Sequence, residues 1–257
     1  MIFNTLQMND FEIESELLIA VKAARLAGLF LQENKKEINK VLSSTEKDIK
    51  LKADIEAENI IKEVIINESE IAILSEESGL SVKTLPEVFW VVDPLDGTAN
   101  YSRDIPICCV SIALVLKMKP ILGVIYDFNN DSLFHGSVNT KAFCNERVIK
   151  VSNISNPAEG ILITGLPNDT DYSDTAMKNM IKNFQGWRKV RMIGSAAMAS
   201  AYIASGKADA YSETKTYLWD VAAGAALVNA AGGKAVIKNQ NEKFQVDVLF
   251  TNSSLST

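Results

Sequence analysis

The stretch "WVVDPLDGTANYSR", Trp90 to Arg103, ends an apolar run with two aspartates, Asp93 and Asp96, set around Pro94 and followed at once by Gly97 and Thr98. A structural turn needs only one Asp or Asn, a Pro and a Gly. Here a strand ends in one acid, proline bends the chain, and a second carboxylate returns toward the same space. Two anions held so close repel each other, and the arrangement is stable mainly when a cation lies between them. Gly97 and Thr98 then offer backbone N–H groups at what reads as a helix start, where a phosphate oxygen can sit. Oxygen ligands without His or Cys favour Mg2+, which binds one or two carboxylates plus substrate phosphate rather than a full protein cage.

Composition limits the alternatives. At 257 residues, 47% hydrophobic and 23% charged, the chain reads as globular with a sizeable core. Lys and Arg number 26 against 32 Asp and Glu, a net charge of -6, and no dense basic run occurs. That balance argues against nucleic acid as a partner. The N-terminus carries no cationic segment followed by an apolar one, and no apolar run has the length of a membrane span, so a cytoplasmic protein is expected. Cys108, Cys109 and Cys144 lack C-x-x-C spacing and read as reduced core thiols. His135 is the only histidine and reads as a polar residue at a strand end. Catalysis through Ser-His-Asp or Cys-His would rest on it alone, with no G-x-S-x-G elbow nearby. Carboxylates and metal are the better expectation.

Apolar residues from Phe11 to Gln32 recur at helical spacing, and a second amphipathic helix is expected from about Asp54, which would be its N-cap. The polar segment "SSTEKDIKLK" lies between them. "EIAIL" and "VFWVV" read as buried strands that open into acidic loops at Glu76-Glu77 and at Asp93. "ICCVSIALVLK" and "PILGVIYDF", joined at Lys119-Pro120, and then "SLFHGSV" read as an antiparallel or mixed sheet. "DFNNDS", Asp127 to Ser132, lacks the Gly and Glu of a calcium loop and reads as a hairpin turn. Beyond about Val151, strands alternate with helices near Asp174 to Phe184, from Ser195 and from Asp220, so two lobes, 1–150 and 151–257, are expected to form one catalytic unit.

With the acidic pair, the chain resembles the inositol monophosphatase family of magnesium-dependent, lithium-sensitive phosphomonoesterases. "WVVDPLDGTANYSR" is similar to that family's first signature and "WDVAAGAALVNAAGG", Trp219 to Gly233, to its second. "SEES" upstream and "GSAAMASAYIASGKADAYSE" between them extend the likeness over about residues 11 to 252.

The resemblance implies a five-layered αβαβα sandwich and a homodimer. It also implies two to three Mg2+ ions: one on Glu76, Asp93 and the Leu95 carbonyl, a second on Asp93, Asp96 and Asp220, a weaker third on Glu76 with waters. Asp54 and Thr98 would orient and deprotonate a water for in-line attack on phosphorus. Gly97 and Thr98 would face the phosphate, and Ser195, Ala196, Glu213 and Asp220 the substrate's hydroxyls. A small phosphorylated polyol or sugar is implied, with inositol 1-phosphate first. "GTANY" stands where 3'-phosphoadenosine phosphate relatives read "GTKEF" and histidinol phosphate relatives "GTRAF", which is closer to the inositol and fructose-bisphosphate types.

The chain departs from the family's "D-x-V-T-x-A-D". It reads "DIKLKAD", so Lys50 and Leu51 replace a valine and a threonine before Asp54. Ser43 stands where a loop lysine is frequent, with Lys47 nearby, and little of the usual final helix follows "TN". A non-catalytic relative that binds a metabolite or a partner protein is the alternative from another functional class.

Overall fold

The computed structural model describes residues 10–44, 49–166 and 170–255. Lys47 lies outside the described residues. In chain order, α1 (Asp10–Glu33), α2 (Lys35–Ile38), the hairpin strands β1 (Val41–Ser44) and β2 (Ile49–Leu51), and α3 (Lys52–Glu68) come first. They lead into β3 (Ile73–Ser75), β4 (Gly79–Leu80), β5 (Val88–Asp96), the short α4 (Thr98–Ser102), β6 (Cys109–Leu116) and β7 (Lys119–Asp127). β8 (Ser132–Ser137), β9 (Phe143–Cys144), β10 (Arg147–Val148), β11 (Ile161–Thr164), α5 (Asp174–Phe184), β12 (Lys189–Met192) and α6 (Ala196–Ala204) follow. β13 (Ala210–Tyr217), α7 (Leu218–Ala230), β14 (Lys234–Lys238) and β15 (Gln245–Thr251) complete the described chain.

Strands β3 to β10 make an eight-stranded sheet in the order β10-β9-β8-β7-β6-β5-β3-β4, and β11 to β15 a five-stranded sheet in the order β12-β11-β13-β15-β14. Both are mixed. β3 runs parallel to β5 in the first sheet, and β11 runs parallel to β12 and β13 in the second.

Side-chain alternation explains the layers. Successive strand residues face opposite sides, and both sides of β5 are buried. Trp90 and Val92 join the cluster with Ala20, Ala24, Leu31 and Ile61 of α1 and α3. Phe89 and Val91 join the other cluster, with Met198 of α6, Leu227 of α7 and Phe250 of β15. A strand buried on both faces reads as one continuous apolar run, as "VFWVV" does. α6 and α7 therefore lie between the two sheets. α5 covers the far side of the smaller one, where Phe184 and Trp187 pack near Leu162, Ala210 and Leu255. The result is the five-layered αβαβα sandwich implied by the resemblance.

The alanines and glycine of α7 follow from this confinement. A Cβ on Gly123 of β7 would stand 2.2 Å from the carbonyl oxygen of Ala223. Helix backbone thus lies directly on strand backbone. At two facing positions small side chains permit this approach, and larger residues at the flanks supply roughly 1.5–3 kcal/mol for each side chain fully buried.

Some local expectations are corrected and others hold. The polar segment "SSTEKDIKLK" contributes residues to the β1–β2 hairpin. Asp54 is not the cap of α3, which begins at Lys52, and Asp220 does not begin α7, which starts at Leu218. Lys119 and Pro120 lie in β7, and the turn before them is made by Lys117 and Met118 at φ 48° and 62°. His135 lies inside β8, its ring stacked on Phe143 at 5.3 Å. All three cysteines are free, but Cys144 is only half-buried. "DFNNDS" is the β7–β8 turn, with Asp127 Oδ1 accepting from the N–H groups of Asn129 and Asn130.

Candidate active site

In a regular strand, residues three apart point to opposite faces. β5 avoids that outcome by a bulge. Asp93 pairs with Ser111 and Asp96 with Cys109, so β5 spends one residue more than β6 across this interval. Pro94 sits in the bulge, where a missing N–H is tolerated, and Asp93 Oδ1 accepts the N–H of Leu95 at 3.0 Å. The extra residue turns both carboxylates toward one cavity of about 770 Å³. Gly97 ends the strand at φ 88°, where a side chain would be strained and its Cβ would meet the Ile107 carbonyl oxygen at 2.8 Å.

The other acids arrive from separate elements. Glu76 follows β3, its N–H bonded to the carbonyl of Val92 on neighbouring β5 at 3.1 Å. Asp220 stands in the first turn of α7 and accepts from Tyr217 N–H at 2.9 Å and Thr216 Oγ1 at 2.7 Å. Asp54 has the same place in α3 and accepts from Leu51 N–H. Each thus makes the backward bond of a helix's third residue to its cap, and the dipole of the helix start favours the negative charge.

Glu76, Asp93, Leu95, Asp96, Gly97, Thr98, Ser195, Ala196, Glu213 and Asp220 all line the cavity. Asp54 does not line it. It is 2% exposed and reaches the cavity through Thr98, whose hydroxyl donates to Asp54 Oδ1 at 3.0 Å. That hydroxyl is equally 3.0 Å from the Leu95 carbonyl oxygen. Ser195 and Ala196 are engaged with Asp96: the Ser195 hydroxyl and the N–H groups of Ala196 and Ala197 all donate to its carboxylate. Asp96 therefore accepts the first free N–H groups of α6, while Ser195 caps the helix by accepting from Met198 N–H at 3.1 Å. Glu213 Oε2 accepts from Tyr211 OH at 2.9 Å.

Crowding shows in the acid strengths. Burial pushes Asp54 up to about 7, opposed by the bonds from Leu51 and Thr98. Burial and then the charge of Asp96 push Asp220 up to about 7. Burial, opposed by the Tyr211 bond, pushes Glu213 up to about 7. Glu76 and Asp93 are raised by loss of water around them and then by neighbouring carboxylates, Asp220 for the first and Glu76 for the second.

Carboxylates crowded in this way repel one another when ionised, and a hard cation suits the space between them. Glu76, Asp93 and the Leu95 carbonyl, with Asp220 beside them, fit Mg2+ by donor type, since all are oxygen ligands. Among the described residues no group of three or more His, Cys, Asp or Glu side chains is already arranged as a metal cage. Both oxygens of Asp96 are engaged by Ser195, Ala196 and Ala197.

Further residues support these groups from behind, and of them only Lys50 and its partner Glu77 are singled out by the sequence. Tyr211 and Thr216 hold Glu213 and Asp220, Lys50 pairs with Glu77 at the cavity wall, and Glu58 is buried against Ser75. Tyr211 was within reach of strand periodicity, because it lies two residues before Glu213 and so on the same face of β13. Glu58 carries no such signal, since a Glu on a helix reads as solvated.

The model of the family described as "Inositol monophosphatase family" matches residues 12–254. Nus factor SuhB of Xylella fastidiosa is 41% identical over 219 residues, 84% of this chain and 79% of that protein. Inositol-1-monophosphatase of Synechocystis is 35% identical over 194 residues, 72% of this chain and 66% of that protein. The solved inositol monophosphatase of Anabaena superposes with a TM-score of 0.81 at 34% identity, covering 94% of this chain and 92% of its own. By sequence match along nearly its whole length and by fold, the chain belongs to the inositol monophosphatase family.

Proposed function

We propose that the chain is a Mg2+-dependent phosphomonoesterase acting on a small polyol or sugar phosphate, inositol 1-phosphate first. The observation that carries this reading is the Thr98–Asp54 bond at the edge of a cavity walled by Glu76, Asp93, Asp96 and Asp220. Glu76, Asp93 and the Leu95 carbonyl would hold one Mg2+, and Asp93, Asp96 and Asp220 a second once Asp96 shares its oxygens with α6. Bound Mg2+ would supply Lewis-acid polarisation of the phosphate and a more acidic water.

The protein's own groups do the rest. Gly97 and Thr98 face the phosphate from the start of α4. The Thr98 hydroxyl accepts a proton from the attacking water as it gives its own to Asp54, a relay for which a carboxylate near pH 7 is suited. Glu213, with Oε2 spent on Tyr211, offers Oε1 to a substrate hydroxyl, and Asp220 can serve a second.

The test is phosphate release from inositol 1-phosphate, fructose 1,6-bisphosphate, histidinol phosphate, 3'-phosphoadenosine phosphate and several sugar 1-phosphates, with Mg2+ and with EDTA. EDTA-sensitive release concentrated on inositol 1-phosphate is expected. Release that ignores EDTA would refute the metal reading. A homodimer is expected in gel filtration.

The name of the Xylella relative, a Nus factor, favours a second reading in which the surface binds a protein of the transcription machinery. The two separate on Asp93→Asn, which removes a shared metal ligand: turnover is lost under the first reading, and partner binding survives under the second.

A further inference from the structure

Glu58 stands one helical turn after Asp54 on α3 and is 4% exposed. A buried carboxylate is costly unless its oxygens are bonded. Here the bonds have a pattern. Oε2 accepts both the Ser75 hydroxyl and, at 3.2 Å, the N–H of Glu77, the residues on either side of Glu76. Oε1 lies 3.5 Å from Lys62 Nζ, which donates to Ser78 Oγ at 2.9 Å. On the other side of the same turn, Lys50 forms an ion pair with Glu77. Lys50 and Glu58 stand four residues before and four after Asp54.

We infer that Glu58 is a positioning residue: by gripping both chain neighbours of Glu76, it sets that side chain relative to Asp54 and Thr98. The inference rests on the phosphatase reading above, because it gives Glu76 a cation to hold. α3 carries Asp54 in its first turn and Glu58 in its second, so one rigid element fixes the acid behind Thr98 and the turn that presents Glu76. Lys50 steadies the same turn from β2. Groups that orient a metal ligand from behind typically change metal affinity 10–100-fold.

Geometry and charge make opposite demands on one substitution. Both the Ser75 and the Glu77 bonds end on Oε2, so a glutamine whose carbonyl oxygen takes that place keeps the grip and loses the charge. Alanine loses both.

The experiment compares Mg2+ binding by calorimetry, and Mg2+ dependence of turnover, in wild type, Glu58→Ala, Glu58→Gln and Ser75→Ala. Glu58→Ala should weaken Mg2+ about 10-fold or more, with kcat largely recovered at saturating Mg2+. Glu58→Gln should stay within about threefold of wild type, and Ser75→Ala should fall between. If Glu58→Ala does not fold, Glu58→Gln and Ser75→Ala still carry the comparison.

Wild-type affinity in all variants would overturn the inference. Equal weakening in Glu58→Ala and Glu58→Gln would overturn it too, because charge rather than position would then be the cause. A wild type that binds Mg2+ yet releases no phosphate would sink the phosphatase reading while calorimetry still judged the grip. A wild type that binds no Mg2+ would end both.

Discussion

The Thr98 hydroxyl stands 3.0 Å from Oδ1 of Asp54 and 3.0 Å from the carbonyl oxygen of Leu95, tying α4 to α3 across 44 residues of chain. A hydroxyl has one proton to give. It serves one of these acceptors at a time and keeps lone pairs for a water on the cavity side. Thr98→Val and Asp54→Asn should each lower kcat by roughly 10²–10⁴-fold, the range of a general base. Mg2+ binding by calorimetry should persist. The double variant should be little worse than the weaker single one, as for groups acting in one unit. Fully additive losses would show that the two act separately.

The acid strength of Asp54 sets a pH limb for the same step. Its carboxyl is pushed up to about 7 by burial, and only the ionised form accepts a proton. Log kcat should therefore fall as pH drops through the neutral range, at or below that value once a neighbouring cation lowers it. In Asp54→Asn the residual rate should lose this limb. An unchanged limb in the variant would assign it to another group.

Metal-free stability should run the other way. Asp54, Asp220 and Glu213 are each pushed up to about 7, and Glu76, Asp93 and Asp96 are also raised. A carboxyl raised in the folded state binds its proton more tightly there than in the unfolded chain. Its contribution to stability is fully present below the unfolded value near 4 and is lost as pH rises through about 7. Without metal, thermal melting should occur at a lower temperature at pH 8 than at pH 5.5. Mg2+ should raise the melting temperature more at pH 8, where the carboxylates are free of protons. A metal-free melting point that climbs from pH 5.5 to 8 would contradict this.

What could be read in the sequence follows from how local each signal is. β5 was legible as a buried strand because both its faces are covered, which leaves a continuous run in "VFWVV", whereas the sandwich came from the family resemblance carried by the two signatures. The acidic pair was legible because Pro94 between the two acids and Gly97 after them mark a bend at the end of an apolar run. The hairpin was not, since Val41 to Ser44 are all exposed and no alternation marks them as a strand. Asp54 and Asp220 were misplaced at the cap because an acid three residues into a helix makes a bond that resembles capping. Leu51, buried where the family has threonine, removed the usual capping signal. Glu58 stayed hidden because only the tertiary structure brings Ser75 and Glu77 to it.

Asp93 sits at the centre of the carboxylate cluster, raised by burial and then by the charges of Glu76, Asp96 and Asp220. Asp93→Asn keeps an acceptor for the Leu95 N–H and deletes one charge from this group. The metal-free variant should melt higher than wild type at pH 8, because repulsion is relieved. It should also lose the stabilisation by Mg2+ and fall to the EDTA background in turnover. A variant that is destabilised at pH 8 without metal would argue that Asp93 is held there by contacts other than like charges.

Gly165 separates substrate reading from chemistry. A Cβ at this position would stand 2.3 Å from Oε2 of Glu213, the oxygen that accepts from Tyr211 at 2.9 Å. The obstructed atom is the end of a flexible side chain, so Gly165→Ala should fold with little change in melting temperature. Its cost falls on the carboxylate, which must leave Tyr211 and swing away from its present place at the cavity wall. A hydrogen bond between a hydroxyl and a charged carboxylate is worth about 1.5–3 kcal/mol. KM for a polyol phosphate should then rise on the order of 10-fold, while kcat stays within about threefold, the pattern of lost uniform binding. Phosphate esters lacking a hydroxyl near the site should be hydrolysed as by wild type. If kcat falls and KM holds, Glu213 acts on the reacting phosphate rather than on the ring.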